Sequence, residues 1–227
     1  MCGRIVQIDG LVAYVEALEL HMPLFSGIDD VPIERYNIAP STKVQILRGM
    51  DDGLHIDPVR WGWAPHWAKG KRPDPINARV ETVLGGKFFK QLWPGHRALV
   101  PSNGWYEWVQ EPGEKRKQPY FIRLKNGKPV FYAALAQVHE GLEEHEGDGF
   151  VIITANSDQG MVDIHDRRPV ALSPEHAREW LDPELSPERA QELAIDCCQA
   201  TEEFEWFKVS KDVGSVKNHG AYLVDPI

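Results

Sequence analysis

Cysteine is scarce: three in 227 residues, two of them adjacent at Cys197 and Cys198. That is too few for a disulfide framework and favours a reducing, cytoplasmic location. Long hydrophobic runs are missing too, and no stretch approaches the ~20 residues of a membrane-spanning helix. Arg4, Asp9 and Glu16 interrupt the amino-terminal segment, so no signal peptide is expected. No internal repeat, low-complexity tract or Gly/Ser linker divides the chain, and a single domain over 1–227 is expected. The histidines are dispersed, with no metal-ligand spacing, so neither zinc nor another cofactor is expected. There is no G-x-S-x-G elbow, no P-loop and no G-x-G-x-x-G, which removes three common routes to hydrolase, nucleotide and dinucleotide chemistry.

Positive charge is in the minority, with 25 Lys and Arg against 34 Asp and Glu. The net charge of −9 argues, taken alone, against nucleic acid as a partner. Its distribution reopens the question. Acid gathers late, in "HEGLEEHEGD" (139–148) and between Glu175 and Glu205, whereas "HWAKGKR" (66–72), "EKRKQ" (114–118), Arg4, Arg35 and Arg79 lie earlier. Either these are ordinary solvated faces or a basic cleft sits on an acidic body.

What is plentiful is short apolar strands, with 42% hydrophobic residues and eight tryptophans. "LVAYVEALEL" (11–20) has helical spacing. "KVQILR" (43–48) and "LHIDPVRWGWAP" (54–65) read as strands about a "GMDDG" turn. "RALVPSNGWYEWV" (97–109) reads as two strands around Ser-Asn-Gly. "PYFIRL" (119–124) and "VFYAALAQV" (130–138) read as a hairpin turned by Asn126-Gly127. "GFVIITANS" (149–157) is an apolar strand. Ser173 and Ser186, each followed by Pro and Glu, cap two helices, the second carrying the Cys197–Cys198 pair as core packing. The sum is an α+β fold, a curved, barrel-like mixed or antiparallel β core flanked by helices.

Four stretches carry polar groups where a strand core would not: "RYNIAPS" (35–41), "PINARVET" (75–82), "GWYEWV" (104–109) and "DIHDRRPV" (163–170). Glu107 among three aromatics is either a desolvated carboxylate suited to proton transfer or an outer-face Glu beside Trp105. His165 is either a proton carrier or a loop histidine bonded to Asp163 or Asp166. Asn77 either reaches a site or caps a turn after Pro75. Asn77, Arg79 and Glu81 fall at period two, on one face if this segment is a strand, and Arg79 can pair with Glu81. Trp61 and Trp63 read as core. Trp67, near Lys69, Lys71 and Arg72, is core or a stacking platform beside a phosphate-binding strip. Cys2 is the oddest placement, since position 2 is ordinarily a frayed end. Without Met1 it offers an α-amine and a thiol on adjacent carbons.

Taken in order, "MCGR", "RYNIAPS", "WGWAP", "NARVET", "GWYEW" and "DIHDRRPV" resemble the SOS-response-associated peptidase family, and the likeness continues to "VSKDVGSVKNHG" (209–220). The resemblance implies removal of Met1, a mature chain from Cys2, and Cys2 as nucleophile. It implies a catalytic set of Cys2, Asn77, Glu107 and His165, and no metal. It implies a substrate of single-stranded DNA containing an abasic site, with strand junctions a candidate setting, to which the protein becomes covalently joined. DNA contacts are then expected from Arg4, Asn37, Pro40, Trp67, Arg79 and Trp108. The family reading places the chain in the cytoplasm, at the nucleoid when on damaged DNA, with no membrane partner and nothing demanding more than a monomer.

The residue types suit that chemistry. An α-amine of reference pKa ~7.7–8.0 is substantially neutral in the cell and can attack the aldehyde of an opened abasic sugar. The adjacent thiol then closes a thiazolidine ring. Two other readings remain open on the same residues: a thiol peptidase or amidase of the N-terminal-nucleophile type acting in trans, and a noncatalytic reader of modified or single-stranded DNA.

Overall fold

A computed structural model describes residues 2–20, 30–71, 73–83, 85–139 and 145–227. Met1 and Arg72, both invoked above, and residues 140–144 of the acidic run lie outside the described residues. In chain order the first strands are β1 (Ile5–Gln7), β2 (Arg35–Ile38), β3 (Lys43–Met50), β4 (Gly53–Arg60) and β5 (Asn77–Arg79). They are followed by β6 (Arg97–Ser102), β7 (Gly104–Val109), β8 (Gln118–Leu124), β9 (Val130–Gln137) and β10 (Gly149–Asn156). The last are β11 (Arg167–Pro169), β12 (Ala171–Leu172) and β13 (Phe204–Lys208). The helices are α1 (Leu11–Ala17), α2 (Val80–Val83), α3 (Pro174–Trp180) and α4 (Pro187–Asp196). None of the described helices is long and apolar enough to cross a membrane.

The fold is α+β, as expected, but its two sheets do not close into a barrel. One runs β13-β8-β7-β1-β2; the other runs β11-β10-β9-β6-β3-β4, with β12 on β9 and β5 on β10. The pairings are antiparallel except β5 on β10. Strand alternation sorts the apolar side chains into three layers. Ile5, Val100, Trp105, Tyr132, Ala134 and Phe150 pack between the sheets. Leu99, Phe131, Leu135, Trp180 and Leu193 fill the opposite face of the larger sheet beneath α3 and α4. Val6, Tyr106, Phe121, Val213 and Leu223 cover the outer face of the smaller one. Burying each large side chain contributes about 1.5–3 kcal/mol, so the sandwich is fixed by these layers rather than by local propensity.

The Ser-Asn-Gly link between β6 and β7 is a crossing from one sheet to the other. Gly104 has φ +149°, and a Cβ there would lie 2.4 Å from the Ile122 carbonyl oxygen, so only glycine fits. Asn103 accepts from the Ile8 backbone N–H at 2.8 Å and donates to Asp9 at 2.7 Å. Ser102 donates to the Val6 carbonyl at 2.7 Å. The crossing thereby ties β1 alongside β7.

Three expected elements come out differently. β8 and β9 do not form a hairpin: β8 pairs with β7 and β13, β9 with β6, β10 and β12. Asn126-Gly127 still turns the chain, but into the other sheet. "NARVET" is a strand only through Arg79; Glu81 sits in α2, off the strand face assigned to it. Cys197 ends α4 and Cys198 bridges to Leu172 beyond it, so the pair is half-buried at the helix end rather than within it. Ser173 and Ser186 cap α3 and α4 as expected, accepting from His176 and Arg189 backbone N–H groups.

Candidate active site

On β7 the side chains alternate, Trp105 facing the layer between the sheets and Tyr106 the outer layer. Glu107, two residues beyond Trp105, therefore faces inward, and its side chain is only 4% exposed. The outer-face reading of this residue is overturned. Burial raises its pKa to about 7; the Asp166 charge adds to the rise and Lys117 opposes it.

Cys2 lies in the same inner layer, fully buried. β1 brings it there: Ile5 pairs with Trp105, and the Tyr106 backbone N–H donates to the Arg4 carbonyl at 3.0 Å. The same alignment carried back along the chain sets Gly3 opposite Glu107. Burial first, then the Glu107 charge, holds the Cys2 thiol far above its ordinary pKa, with the Arg4 backbone N–H opposing. Tyr132, also buried, faces the same region, and its pKa is raised by burial and then by Cys2. Sequence reasoning passed over Tyr132; its only signal was a hydroxyl in the middle of the apolar run "VFYAALAQV".

Asn77 enters from β5, which the Ile76 carbonyl pins by accepting from Trp61 Nε1 at 2.9 Å and the Ile152 N–H at 3.1 Å. Its Nδ2 donates to the Cys2 carbonyl at 2.8 Å. Its Oδ1 is buried and has no hydrogen-bond partner among the described residues, an acceptor beside Cys2. Glu81 does not pair with Arg79. It takes both prongs of Arg167, at 2.6 and 3.0 Å, and so joins α2 to β11.

His165 follows a short 3-10 turn, its backbone N–H bonded to the Met161 carbonyl at 3.1 Å. Its Nε2 stands 3.9 Å from Glu107 Oε2, and its Nδ1 lies 2.8 Å from Asp166 Oδ1. The expected loop contact to Asp166 is thus present, but it leaves the other ring nitrogen facing Glu107. Burial lowers the His165 pKa, and Lys117 lowers it further against the Asp166 charge. The structure therefore brings together Cys2, Asn77, Glu107 and His165, a buried thiol beside a carboxylic acid raised to about 7 and a histidine that burial makes less basic.

The residues expected to contact DNA divide. Arg4 Nη1 donates to Asn37 Oδ1 at 2.6 Å and to the Val213 carbonyl at 2.8 Å, and its guanidinium lies over Trp108, 5.6 Å from the ring centre. Asn37 Nδ2 donates to the Ser215 and Asn218 carbonyls at 3.0 and 2.9 Å. Arg4 and Asn37 thus hold the carboxy-terminal segment. Pro40 is half-exposed just past β2, and Arg79 is exposed at the end of β5. Trp61 and Trp63 are core, whereas Trp67 is 58% exposed and packs edge-on against Phe88. Lys69 pairs with Glu146 at 3.6 Å. A cleft of about 520 Å³ beside them, lined by Trp63, His66, Lys69, Gln91 and Gln137 among others, contains none of the four site residues.

One group departs from the expectation of dispersed histidines: ligand atoms of His139, His145 and Asp148 lie within 4.8 Å of one another. Asp148 already accepts from the His139 backbone N–H at 3.0 Å and lies 2.6 Å from His139 Nδ1. It closes the link between β9 and β10 as a turn does.

The family model for SOS response associated peptidase (SRAP) matches residues 1–216. The chain is 47% identical to the abasic site processing protein YedK of Escherichia coli, covering 100% of both chains. It is 34% identical to the abasic site processing protein YoaM of Bacillus subtilis, covering 99% of this chain and 98% of that one. Among solved structures, a phage-related protein from Bordetella bronchiseptica matches with a TM-score of 0.76 and 39% identity, covering 92% of this chain and 95% of the other.

Proposed function

Because the chain belongs to the SOS response associated peptidase family, we propose that it processes abasic sites in single-stranded DNA by a covalent route through Cys2. Two of its relatives are named abasic site processing proteins. Once Met1 is removed, the Cys2 amine adds to the aldehyde of the ring-opened sugar, and loss of one water leaves an imine. The thiol then adds across the C=N bond, its proton passing to nitrogen, and closes the thiazolidine. No oxidant or reductant is needed. Holding both nucleophiles on one residue gives the second step its proximity advantage.

The observation that carries this reading is a carboxylate of pKa about 7 buried beside a buried thiol. A thiol held so firmly protonated needs a base at hand. Glu107 takes a proton from the thiol or amine and returns it to the departing water. His165 exchanges protons with the sugar oxygens during ring opening. Asn77 holds the Cys2 carbonyl and offers Oδ1 to the amine. Arg79 and Arg4 meet flanking phosphates, Trp67 and Trp108 offer stacking surfaces, and Asn37 and Pro40 shape the groove. Removal of Met1 uses the same groups: the Cys2 thiol attacks the Met1 carbonyl, the Met1–Cys2 C–N bond breaks as the nitrogen takes up the thiol proton, and water hydrolyses the resulting thioester to release methionine and the free thiol. One chain, acting as a single domain, supplies the whole site.

The test is a denaturing gel of processed protein incubated with abasic single-stranded DNA. A heat-stable shifted band supports the reading. Reversible binding alone points to a noncatalytic reader, and peptide cleavage in trans without a band points to a peptidase.

A further inference from the structure

His165 Nδ1 has two neighbours at once. Asp166 Oδ1 lies 2.8 Å away, and the Arg167 backbone N–H points at the same nitrogen from 3.0 Å. One imidazole nitrogen cannot serve both. It accepts from an N–H only through its lone pair, and it donates to a carboxylate only when it carries the proton. The two contacts therefore belong to different states of the ring. With Arg167 bound, neutral His165 carries its proton on Nε2, the nitrogen 3.9 Å from Glu107 Oε2. With Asp166 bound, Nδ1 carries the proton and Nε2 presents a lone pair; a second proton there makes the imidazolium.

Only the Asp166-bound states complete a proton cycle. If Nδ1 is tied up as an acceptor, giving away the Nε2 proton leaves an imidazolate, which forms only in strong alkali. An imidazolium held by Asp166 gives its Nε2 proton to a sugar oxygen and becomes the neutral Nδ1–H form, ready to take a proton back. We propose, resting on the crosslinking reaction above, that Asp166 is a positioning residue: it draws His165 Nδ1 away from the Arg167 N–H and holds the ring in its working tautomer. Asp166 itself touches no reacting atom. Its side chain is 80% exposed, so water screens the contact and the ring passes readily between a resting Arg167-bound state and the working one. Among the described residues the charged groups facing His165 are Glu107 from β7, Lys117 just before β8, and Asp166 itself, and the charge of the amino terminus also lowers its pKa.

The experiment pairs two measurements on the processed full-length chain. Nitrogen-15 spectra of the histidines read the tautomer of His165 without DNA, assigned by the signal lost in His165→Ala. Single-turnover crosslinking across pH reads the rate. Asp166→Asn, whose amide can donate to Nδ1, is expected to move His165 to the Nε2–H form and to slow crosslinking about tenfold, well short of the ~10⁴-fold loss behind a buried carboxylate. The limb of the pH–rate profile that belongs to His165 shifts to lower pH, because a charge that favoured its protonation is gone. Asp166→Glu restores most of the rate. The proposal is overturned if Asp166→Asn keeps the Nδ1–H form, if the tautomer changes with no loss of rate, or if the rate falls with tautomer and pH limb unmoved. A wild-type protein that forms no crosslink sinks the functional reading instead, and the spectra still decide whether Asp166 governs the ring.

Discussion

Glu107 Oε2 and His165 Nε2 stand 3.9 Å apart, one on the inner face of the five-stranded sheet, the other just before the β11 strand of the larger sheet. Burial acts on them in opposite directions, raising the carboxylic acid to about 7 and lowering the histidine. The ordinary order of proton affinity is thereby reversed, so that Glu107 holds a proton more tightly than His165 and the two can divide the proton-donating and proton-accepting roles.

Glu107→Gln should make the protein more stable and less active. A carboxylic acid whose folded pKa exceeds its unfolded value binds its proton more tightly in the native state, so stability falls as pH rises through the window from about 4.5 to about 7. Gln removes that penalty. Urea melts should show the variant about 1–3 kcal/mol more stable than wild type at pH 8 and little changed at pH 4.5. Crosslinking and its reversal should both slow, since one catalyst serves the same barrier in both directions. Equal rates in processed, folded protein would make Glu107 a structural acid.

Cys2→Ala should abolish the heat-stable crosslink, because a ring needs both amine and thiol. Cys2→Ser should leave an imine that borohydride traps. Mass spectrometry of each amino terminus is the control, since retained Met1 blocks the amine whatever stands at position 2. A full-yield stable adduct from Cys2→Ala removes Cys2 from the mechanism.

How much of this was legible beforehand depends on range. Ser173 and Ser186 announced their helices because a cap is decided by the next three residues. The β8–β9 hairpin was misread because Asn126-Gly127 is a good turn in either topology; the Phe121 and Tyr132 side chains that send the two strands to different sheets pack against residues far along the chain. Asn77, Glu107 and His165 were marked by polarity where apolar strand residues were expected and Cys2 by its place at position 2, yet the inward direction of Glu107 followed only once Trp105 was seen between the sheets and Tyr106 outside them. Tyr132 gave little signal because a tyrosine in a strand is ordinary. Arg4 and Asn37 looked like pure DNA ligands because their partners are the Val213, Ser215 and Asn218 backbone carbonyls, which a sequence motif does not display.

Arg4 and Arg79 should separate stability from affinity. Arg4→Ala removes the bonds to Val213 and Asn37 and the stacking on Trp108, and should cost about 1–3 kcal/mol. Arg79 is exposed, so Arg79→Ala should change stability by no more than about 0.5 kcal/mol. It should nonetheless weaken noncovalent binding to single-stranded DNA of every sequence and flatten the salt dependence by about 0.7 for each phosphate no longer neutralised. An Arg79→Ala protein with wild-type affinity and salt slope counts against the cleft.

Asn77 tests whether the site needs a neutral amide. Its Nδ2 donates to the Cys2 carbonyl at 2.8 Å, and its Oδ1 is a buried acceptor without a partner among the described residues. Asn77→Asp keeps the shape, replaces the donor with an oxygen that repels the carbonyl, and adds a negative charge close to Cys2 and Glu107. Nearby negative charge disfavours deprotonation, so both groups should hold their protons more tightly than before. Crosslinking should slow at pH 7, and its rise with pH should move to higher pH than in wild type. Asn77→Ala adds no charge; it should cost about 1–3 kcal/mol of stability by leaving the Cys2 carbonyl unbonded, and should slow the reaction without moving the pH at half-maximal rate. If the two variants shift the profile alike, Asn77 acts only by holding the chain in place. If Asp alone shifts it, the amide is there to anchor Cys2 without adding a charge that would oppose its deprotonation.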